Sequence, residues 1–312
     1  MRYIYVIISA FLMALSQQPI GCEFLAWFSL VPLIMVLDNS KLIRQNLFFG
    51  FIWGFIYHIS TIYWIFFNLG TNRTIGLISL LAAVLVLTFN IILIVLLFSI
   101  ISKKIFTKTY ILLPIIWVSI EYVRTFSILG FPWTSLANSQ VHYNLLAQNV
   151  EFTGIYGISF WLVLLNVFIY DFYKNTDFKT AQILIIIFLF PWISGYYLYN
   201  NQTIDVQEGL DIVLVQPNIS LSEKRSYHFF PDNIKKMVTL SLAKINDDTE
   251  LILFPESALS SYMINKGSYL RFIQRSILNQ NISLLSGLNY SKISDGEKLN
   301  YNSLAHIDSN KI

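Results

Sequence analysis

The chain has 312 residues, 55% of them hydrophobic, 16% aromatic and only 12% charged, with a formal net charge of +3. Soluble domains carry about 25% charged residues, so the composition excludes a uniformly soluble globule, and the aromatic content excludes disorder as the main state. A single cysteine excludes a disulfide scaffold and a cysteine-rich metal site, and the charge balance gives no footprint for nucleic acid.

The average hides two parts. Residues 1–200 hold ten Lys/Arg and six Asp/Glu, whereas residues 201–312 hold eleven and twelve. A bilayer-spanning helix needs roughly 20 mostly apolar residues. In chain order, candidate spans lie at Tyr3–Leu15, Phe24–Leu37, Leu47–Leu69, Ile75–Ile101, Tyr110–Leu129, Phe152–Tyr173 and Ala181–Tyr199. The first two are short and read as tilted helices or as a tight hairpin through Gln17, Gln18, Pro19 and Gly21. A membrane domain of about seven helices over residues 1–200 is the expectation. Met1–Ser16 also has the basic residue, apolar run and small residues of a signal peptide, and Pro19-Ile20-Gly21-Cys22 resembles a lipoprotein cleavage box. Pro19 stands where that box has Leu, and further apolar segments follow at once. An uncleaved first helix is therefore expected, with Cys22 as a small buried residue.

Basic residues in short loops set orientation. With the N-terminus cytoplasmic and seven crossings, Arg2, Lys41, Arg44, Lys103, Lys104, Lys108, Lys174 and Lys179 lie inside, and only Arg73 and Arg124 lie outside. Residues 201–312 then fall on the far side of the membrane.

Within the spans, Glu121 and Arg124 are three apart and are expected to share a helix face and pair. Such a pair reads either as part of a substrate or ion path or as a structural pair near a helix end. His58 sits among aromatics and reads as a hydrogen-bonded core histidine. Gly130-Phe131-Pro132-Trp133 is too apolar for an ordinary loop. Trp133 reads as an interfacial anchor or as the wall or gate of a lipid-facing pocket.

The second part reads as alternating strands and helices. Leu210–Gln216 is a β-branched apolar run stopped by Pro217-Asn218. Pro231 opens a helix to about Ile245, with Ile234, Met237, Val238 and Leu242 at helical spacing. Leu251–Phe254 is a second strand and Tyr269–Leu278 a second helix. Ile282–Leu285 is a third strand, ended by Ser286-Gly287, and Tyr301–Ile307 a fourth, after a turn at Asp295-Gly296. The order β-α-β-α-β-β predicts a layered α/β sheet with the first two strands parallel. In such sheets chemistry gathers at the carboxyl ends of strands. There Phe254-Pro255-Glu256-Ser257 carries a lone carboxylate in an apolar setting. Glu256 reads either as a partly desolvated general base or as a capping or salt-bridging residue. No glycine-rich phosphate loop follows any strand, no histidine cluster has metal spacing, and no internal repeat is visible.

These features together resemble the apolipoprotein N-acyltransferases of bacterial inner membranes. The resemblance rests on Trp117-x-x-x-Glu121-x-x-Arg124, Gly130-Phe131-Pro132-Trp133, Val213-Leu214-Val215-Gln216-Pro217-Asn218-Ile219, Phe254-Pro255-Glu256-Ser257-Ala258, Ser286-Gly287 and Tyr301-Asn302-Ser303, in the family's order. It implies a multi-span α-helical membrane domain followed by a partial nitrilase-like α-β-β-α sandwich, here its N-terminal portion at residues 201–312. It implies a phospholipid acyl donor, a diacylglyceryl lipoprotein acceptor and the bilayer as partners, and no cofactor or metal. It places the chain in the inner membrane as a multi-pass protein, with residues 201–312 periplasmic. By position, Glu256 matches the proton acceptor of the family's Glu–Lys–Cys triad, and Trp133 an aromatic on the loop near the lipid entrance. The family's Lys and Cys have no counterpart here. Lys292 and Lys311 lack the Lys context, and Cys22 lies in the first hairpin. The expectation is a chain truncated at the C-terminus and inactive alone. Two other readings compete: a non-catalytic membrane lipid-binding or scaffold protein derived from that family, which the missing Lys and Cys favour, and a transporter, which the lack of paired broken helices disfavours.

Overall fold

The computed structural model describes residues 1–40, 42–104, 108–126, 130–201, 209–260, 267–278, 282–294 and 296–308. Lys41, the end of the Tyr110–Leu129 span, Asp295 and Lys311 lie outside the described residues. The chain divides into two compact units, Met1–Thr203 and Ile204–Ile312.

The first unit is helical. Its helices are α1 (Arg2–Ser16), α2 (Val31–Asp38), α3 (Ile43–Thr61), α4 (Arg73–Lys104), α5 (Leu113–Val123), α6 (Asn144–Gln148), α7 (Val150–Asn175) and α8 (Phe178–Asn200). Three of these, α4, α7 and α8, are long and apolar enough to cross a membrane, which makes the chain a membrane protein. Tyr3–Leu15 is one helix, α1 (Arg2–Ser16); the Phe24, Leu47 and Tyr110 candidates come out shorter. Phe24–Leu37 splits into a 3-10 turn (Glu23–Trp27) and α2, and the span from Tyr110 splits into a 3-10 turn (Thr109–Leu112), α5 and a second turn (Arg124–Phe126). Pro32 and Pro114 stand in the first turns of α2 and α5, where a missing backbone N–H costs nothing but an upstream continuation is blocked. Inside α7 the backbone bends at Gly154, which takes φ +60°, open to glycine without strain.

One core joins these helices, built from Phe49, Trp53, Tyr57, Trp117, Leu162 and their neighbours. Polar side chains stitch the broken segments to the long helices. Asn166 on α7 accepts from Leu30 N (2.8 Å) and donates to Ala26 O (2.9 Å), satisfying backbone groups of the 22–30 segment. Gln140 donates to Glu23 O at 3.0 Å and accepts from Trp27 Nε1 at 2.8 Å. Outward, α8 exposes Ile185, Ile186, Phe190 and Ile193, an apolar surface suited to lipid. His58 is fully buried with its ring 4.9 Å from that of Tyr57, but neither ring nitrogen has a hydrogen-bond partner among the described residues. It is a core residue, with the main-chain oxygen of Gly54, four residues back, as its polar neighbour.

The basic residues gather at one end of this unit. Lys108 pairs with Asp171 (2.8 Å), Lys174 with Asp38 (2.7 Å), and Arg2 donates to Asn39 O (3.4 Å). Lys103 ends α4 beside them, whereas Arg73 begins α4 at its other end.

The second unit is a four-stranded sheet in the order β1 (Asp211–Leu214), β2 (Thr249–Ser260), β3 (Ser283–Ser294) and β4 (Glu297–Ile307). The first two pairs are parallel and β3–β4 is antiparallel. The capped turn α9 (Leu221–Arg225) and helix α10 (Phe230–Leu242) connect β1 to β2, and α11 (Ser268–Ile277) precedes β3. Alternate strand residues Val213, Ile252, Leu284, Leu288, Ala305 and Ile307 pack with Ile234, Met237, Val238, Ile273 and Ile277 of the helices. The opposite positions Ile212, Leu214 and Leu304 are exposed. Among the described residues, helices thus cover one sheet face only.

Two strands outrun their expected ends. β3 passes through Ser286-Gly287 instead of stopping there, because β4 pairs with it from Leu284 to Ser294. β2 resumes after Phe254, with a register shift before Leu259.

Candidate active site

The shift in β2 is the structural origin of the candidate site. Pro255 interrupts the ladder, Ser257 takes φ +53°, and pairing with β3 returns at Leu259. A non-glycine residue in the left-handed region is a strained element that the surrounding structure must hold in place.

Two neighbours hold it. Gly287 lies under the excursion: a Cβ there would come within 2.5 Å of Glu256 Cα, 2.8 Å of Ser257 N and 2.9 Å of Pro255 O. Only glycine lets the backbone of residues 255–257 lie this close to β3. Gly287 pairs with Leu304, and Asn302, two residues before it, stands on the same sheet face, the one that carries no helices. Across the gap at Gly287, Asn302 Nδ2 donates to Glu256 Oε1 at 2.7 Å. From the other side, Lys224 Nζ of α9 donates to the main-chain oxygen of Glu256 at 3.0 Å.

Three short motifs that are far apart in sequence therefore meet at one carboxylate. Glu256 is exposed, not partly desolvated as its apolar flanks suggested. The apolar neighbour Phe254 turns into the helix-covered core, while the bulge rotates Glu256 outward. Ser257 Oγ, the nearest hydroxyl, donates to Asn289 Oδ1 at 3.0 Å, an amide oxygen that is no general base. The side chain of Ser260 lies outside the described residues. Lys292 lies five residues beyond Gly287 toward the β3–β4 turn. Cys22, half-buried with a free thiol, belongs to the other unit, and no metal-binding cluster occurs among the described residues.

In the membrane unit, Glu121 and Arg124 do not form the expected ion pair; neither takes part in one among the described residues. The backbone through Arg124 stays right-handed helical, but three other donors take the Glu121 carboxylate and Thr134 takes the Arg124 guanidinium, which draws the two side chains apart. Both instead reach the 130–137 segment. The buried Glu121 carboxylate accepts from Ser135 Oγ (2.9 Å), Leu136 N (3.0 Å) and Trp117 Nε1 (3.3 Å), and Arg124 donates to Thr134 Oγ1 (3.3 Å). Tyr57 donates to Thr134 O and Gln17 to Ser135 O. On this fixed backbone Trp133 stays 61% exposed, with its ring 5.3 Å from Trp64 and 5.0 Å from Phe131. The loop is rigid at its root and presents an apolar aromatic outward.

Residue patterns alone do not single out Lys224, Gly287 or Asn302 as partners of Glu256. The one available signal is the Ser-Gly dipeptide inside what turns out to be a continuous strand, since a glycine within a strand marks close backbone approach.

Comparison with known proteins bears on both units. Residues 9–168 match the family model described as the apolipoprotein N-acyltransferase N-terminal domain. The chain is 26% identical over 287 residues to the apolipoprotein N-acyltransferase of Geobacter metallireducens, an alignment covering 86% of this chain and 53% of that protein. It is 24% identical to the enzyme of that name from Chlorobaculum tepidum (85% and 50% covered) and 28% identical to apolipoprotein N-acyltransferase 1 of Treponema denticola (81% and 48%). An alignment of 287 residues exceeds the membrane unit Met1–Thr203, so the likeness extends into the α/β unit. The chain spans about half the length of the curated relatives it matches.

Proposed function

Because the chain belongs to the apolipoprotein N-acyltransferase family, we propose that it serves the transfer of an acyl chain from a phospholipid to the N-terminal diacylglyceryl-cysteine of lipoproteins. In that reaction a nucleophile attacks the phospholipid ester carbonyl and the lysophospholipid leaves. The acyl group rests on the enzyme until the α-amino group of the acceptor takes it as an amide. Each attack releases a proton, so a proton acceptor within reach is required, a role a carboxylate can fill.

Glu256 is the proposed proton acceptor. The observation that carries this is the convergence on it of Gly287 and Asn302: one oxygen is fixed by the Asn302 amide, and Oε2 is free of hydrogen bonds among the described residues. Ser257 is not the nucleophile in this reading, because its hydroxyl is spent on Asn289 and has no base of its own. Trp133, on its clamped loop, lines the lipid entrance. The helix-free sheet face, with Ile212, Leu214 and Leu304 exposed, is where a second sheet of a nitrilase-like α-β-β-α sandwich would pack. The one-ended gathering of Arg2, Lys103, Lys108 and Lys174 supports an inner-membrane, multi-pass arrangement with that end cytoplasmic and the α/β unit periplasmic.

The test uses two polypeptides in detergent with phospholipid and a diacylated lipopeptide. One is this chain, and the other is this chain extended by the part of the Geobacter relative beyond the aligned region. We expect no acyl-enzyme and no triacylated product from residues 1–312, product from the extended chain, and none from its Glu256→Gln form. A fully active Glu256→Gln form would overturn the assignment of the base. The unactivated Ser257 also favours a second reading, a non-catalytic lipid-binding scaffold; that reading expects lipid binding without product from both polypeptides.

A further inference from the structure

The lysine-rich end of the membrane unit encloses a cavity of about 510 Å³ between α2, α3, α4 and α7. It is remote in sequence from every residue placed in acyl transfer, and its lining has a definite chemistry. Lys103, Lys108 and Lys174 line it. Two of them are pre-positioned. Lys174 Nζ is held by Asp38 Oδ2 at 2.7 Å and Lys108 Nζ by Asp171 Oδ2 at 2.8 Å. Each aspartate is itself fixed by a tyrosine hydroxyl, Tyr170 on Asp38 (2.7 Å) and Tyr110 on Asp171 (2.6 Å). An ammonium has three donors, so each lysine keeps donors to spare after its carboxylate contact. Lys103 is exposed and has no ion-pair partner among the described residues. Among the lining residues three lysines face one carboxylate, Asp38; Asp171 and Asp177 sit beside Lys108, and the lysine left without an ion pair among the described residues is Lys103.

A second, independent feature lies deeper. Asn46 lines the cavity and is 3% exposed. Its Nδ2 donates to Ser99 Oγ at 3.0 Å, but its Oδ1 accepts no hydrogen bond among the described residues. A buried acceptor left unpaired is costly, so its retention beside a cavity points to a ligand that brings a donor. Leu37 and Ile43 add an apolar border at the cavity wall.

A ligand matching all three features has an anionic phosphate ester, a hydroxyl donor close to it, and an apolar continuation. We propose that this cavity binds the headgroup of an anionic glycerophospholipid, its phosphate on Lys103, Lys108 and Lys174 and a headgroup hydroxyl donating to Asn46 Oδ1. The assignment does not rest on the acyl-transfer reading, since the site would occupy a lipid that is retained and not consumed.

The test uses the 312-residue chain in a mild detergent, examined by native mass spectrometry with phosphatidylglycerol, phosphatidylcholine and sn-glycerol 3-phosphate as probes. Phosphatidylglycerol should be retained about tenfold over phosphatidylcholine, which lacks both net charge and a headgroup donor. Lys103→Glu, at an exposed position that leaves the fold intact, should lower that retention about fivefold. Asn46→Ala should lower it as well. Lys179→Glu changes a basic residue that does not line the cavity and should leave it unchanged. Equal retention by the parent and Lys103→Glu, an equal loss in Lys179→Glu, or binding of sn-glycerol 3-phosphate without preference for the lipid would overturn the proposal.

Discussion

The two units expose apolar side chains to very different effect. On α8 the exposed Ile185, Ile186, Phe190 and Ile193 sit on a helix whose backbone groups bond within the helix, except the Ile187 carbonyl freed by Pro191, which accepts from Trp161 Nε1 (2.8 Å), so the surface suits a lipid solvent. On the sheet, exposed Ile212, Leu214 and Leu304 flank a strand system that, among the described residues, has one bare face and an unpaired edge at β1, which in water is an unfinished surface. Polar groups follow the same contrast. The membrane unit pairs several buried polar side chains with backbone groups of other segments, as in Glu121 to Leu136 and Asn166 to Leu30. The α/β unit keeps its key polar contact, Asn302 to Glu256, at the exposed face. Exposure of an apolar residue therefore has no meaning until the solvent is specified.

The largest effect that would break this contrast concerns the bare face. Residues 204–312 expressed alone should aggregate at micromolar concentration, and a Leu214→Lys, Leu304→Lys double variant should shift most of the protein into the soluble fraction by size-exclusion chromatography. A soluble, cooperatively unfolding parent segment would show the face to be complete as it stands. Next in size, Glu121→Leu should destabilise the membrane unit by about 3 kcal/mol, because three buried donors lose their acceptor together. Its melting point in detergent should fall well below that of Glu121→Gln, which keeps the shape and part of the bonding. Gly287→Ala should displace the 255–257 backbone at a cost of about 1–3 kcal/mol. In the extended enzyme it should remove most activity with the membrane unit's melting unchanged. Asn302→Ala should lower kcat/KM of that enzyme about tenfold, the loss of one charge-assisted hydrogen bond to the base.

The smallest expected effect is a pH dependence. Glu223 closes a capping box with Ser220, and the backbone and hydroxyl donors of Ser220 hold its carboxyl below the usual glutamate value. A lowered folded-state value means that the contribution is present above the ordinary carboxylate range and is lost as pH falls through it. Circular dichroism melts between pH 7 and pH 3 should show a slightly steeper loss for the parent than for Ser220→Ala.

What was legible in the residues was whatever is local. Hydrophobic runs place α4, α7 and α8, and the alternation of β-branched runs with helical spacing gives the order of the α/β unit, with β1 and β2 parallel. What failed depends on distant residues. The continuation of β2 past Pro255 and of β3 past Gly287 is set by partner strands. The exposure of Glu256 follows from the bulge, which the apolar flank Phe254 cannot reveal. The Glu121–Arg124 pairing gives way to the contacts that each side chain makes with residues 134–136. Glu256 stands out as a candidate by its place after an apolar strand; its hydrogen bond with Asn302 does not, because 46 residues separate them.

The Asn166 latch sets a constraint on the order of biosynthesis. The backbone N–H of Leu30 and the carbonyl of Ala26 find their partner 136 and 140 residues later in the chain. In hydrocarbon each unmade bond of this kind costs several kcal/mol. During translation the 22–30 segment must therefore wait at the aqueous interface or within the insertion machinery until α7 has emerged. The amino-terminal hairpin, first to be made, is among the last parts of the membrane unit to reach its final depth.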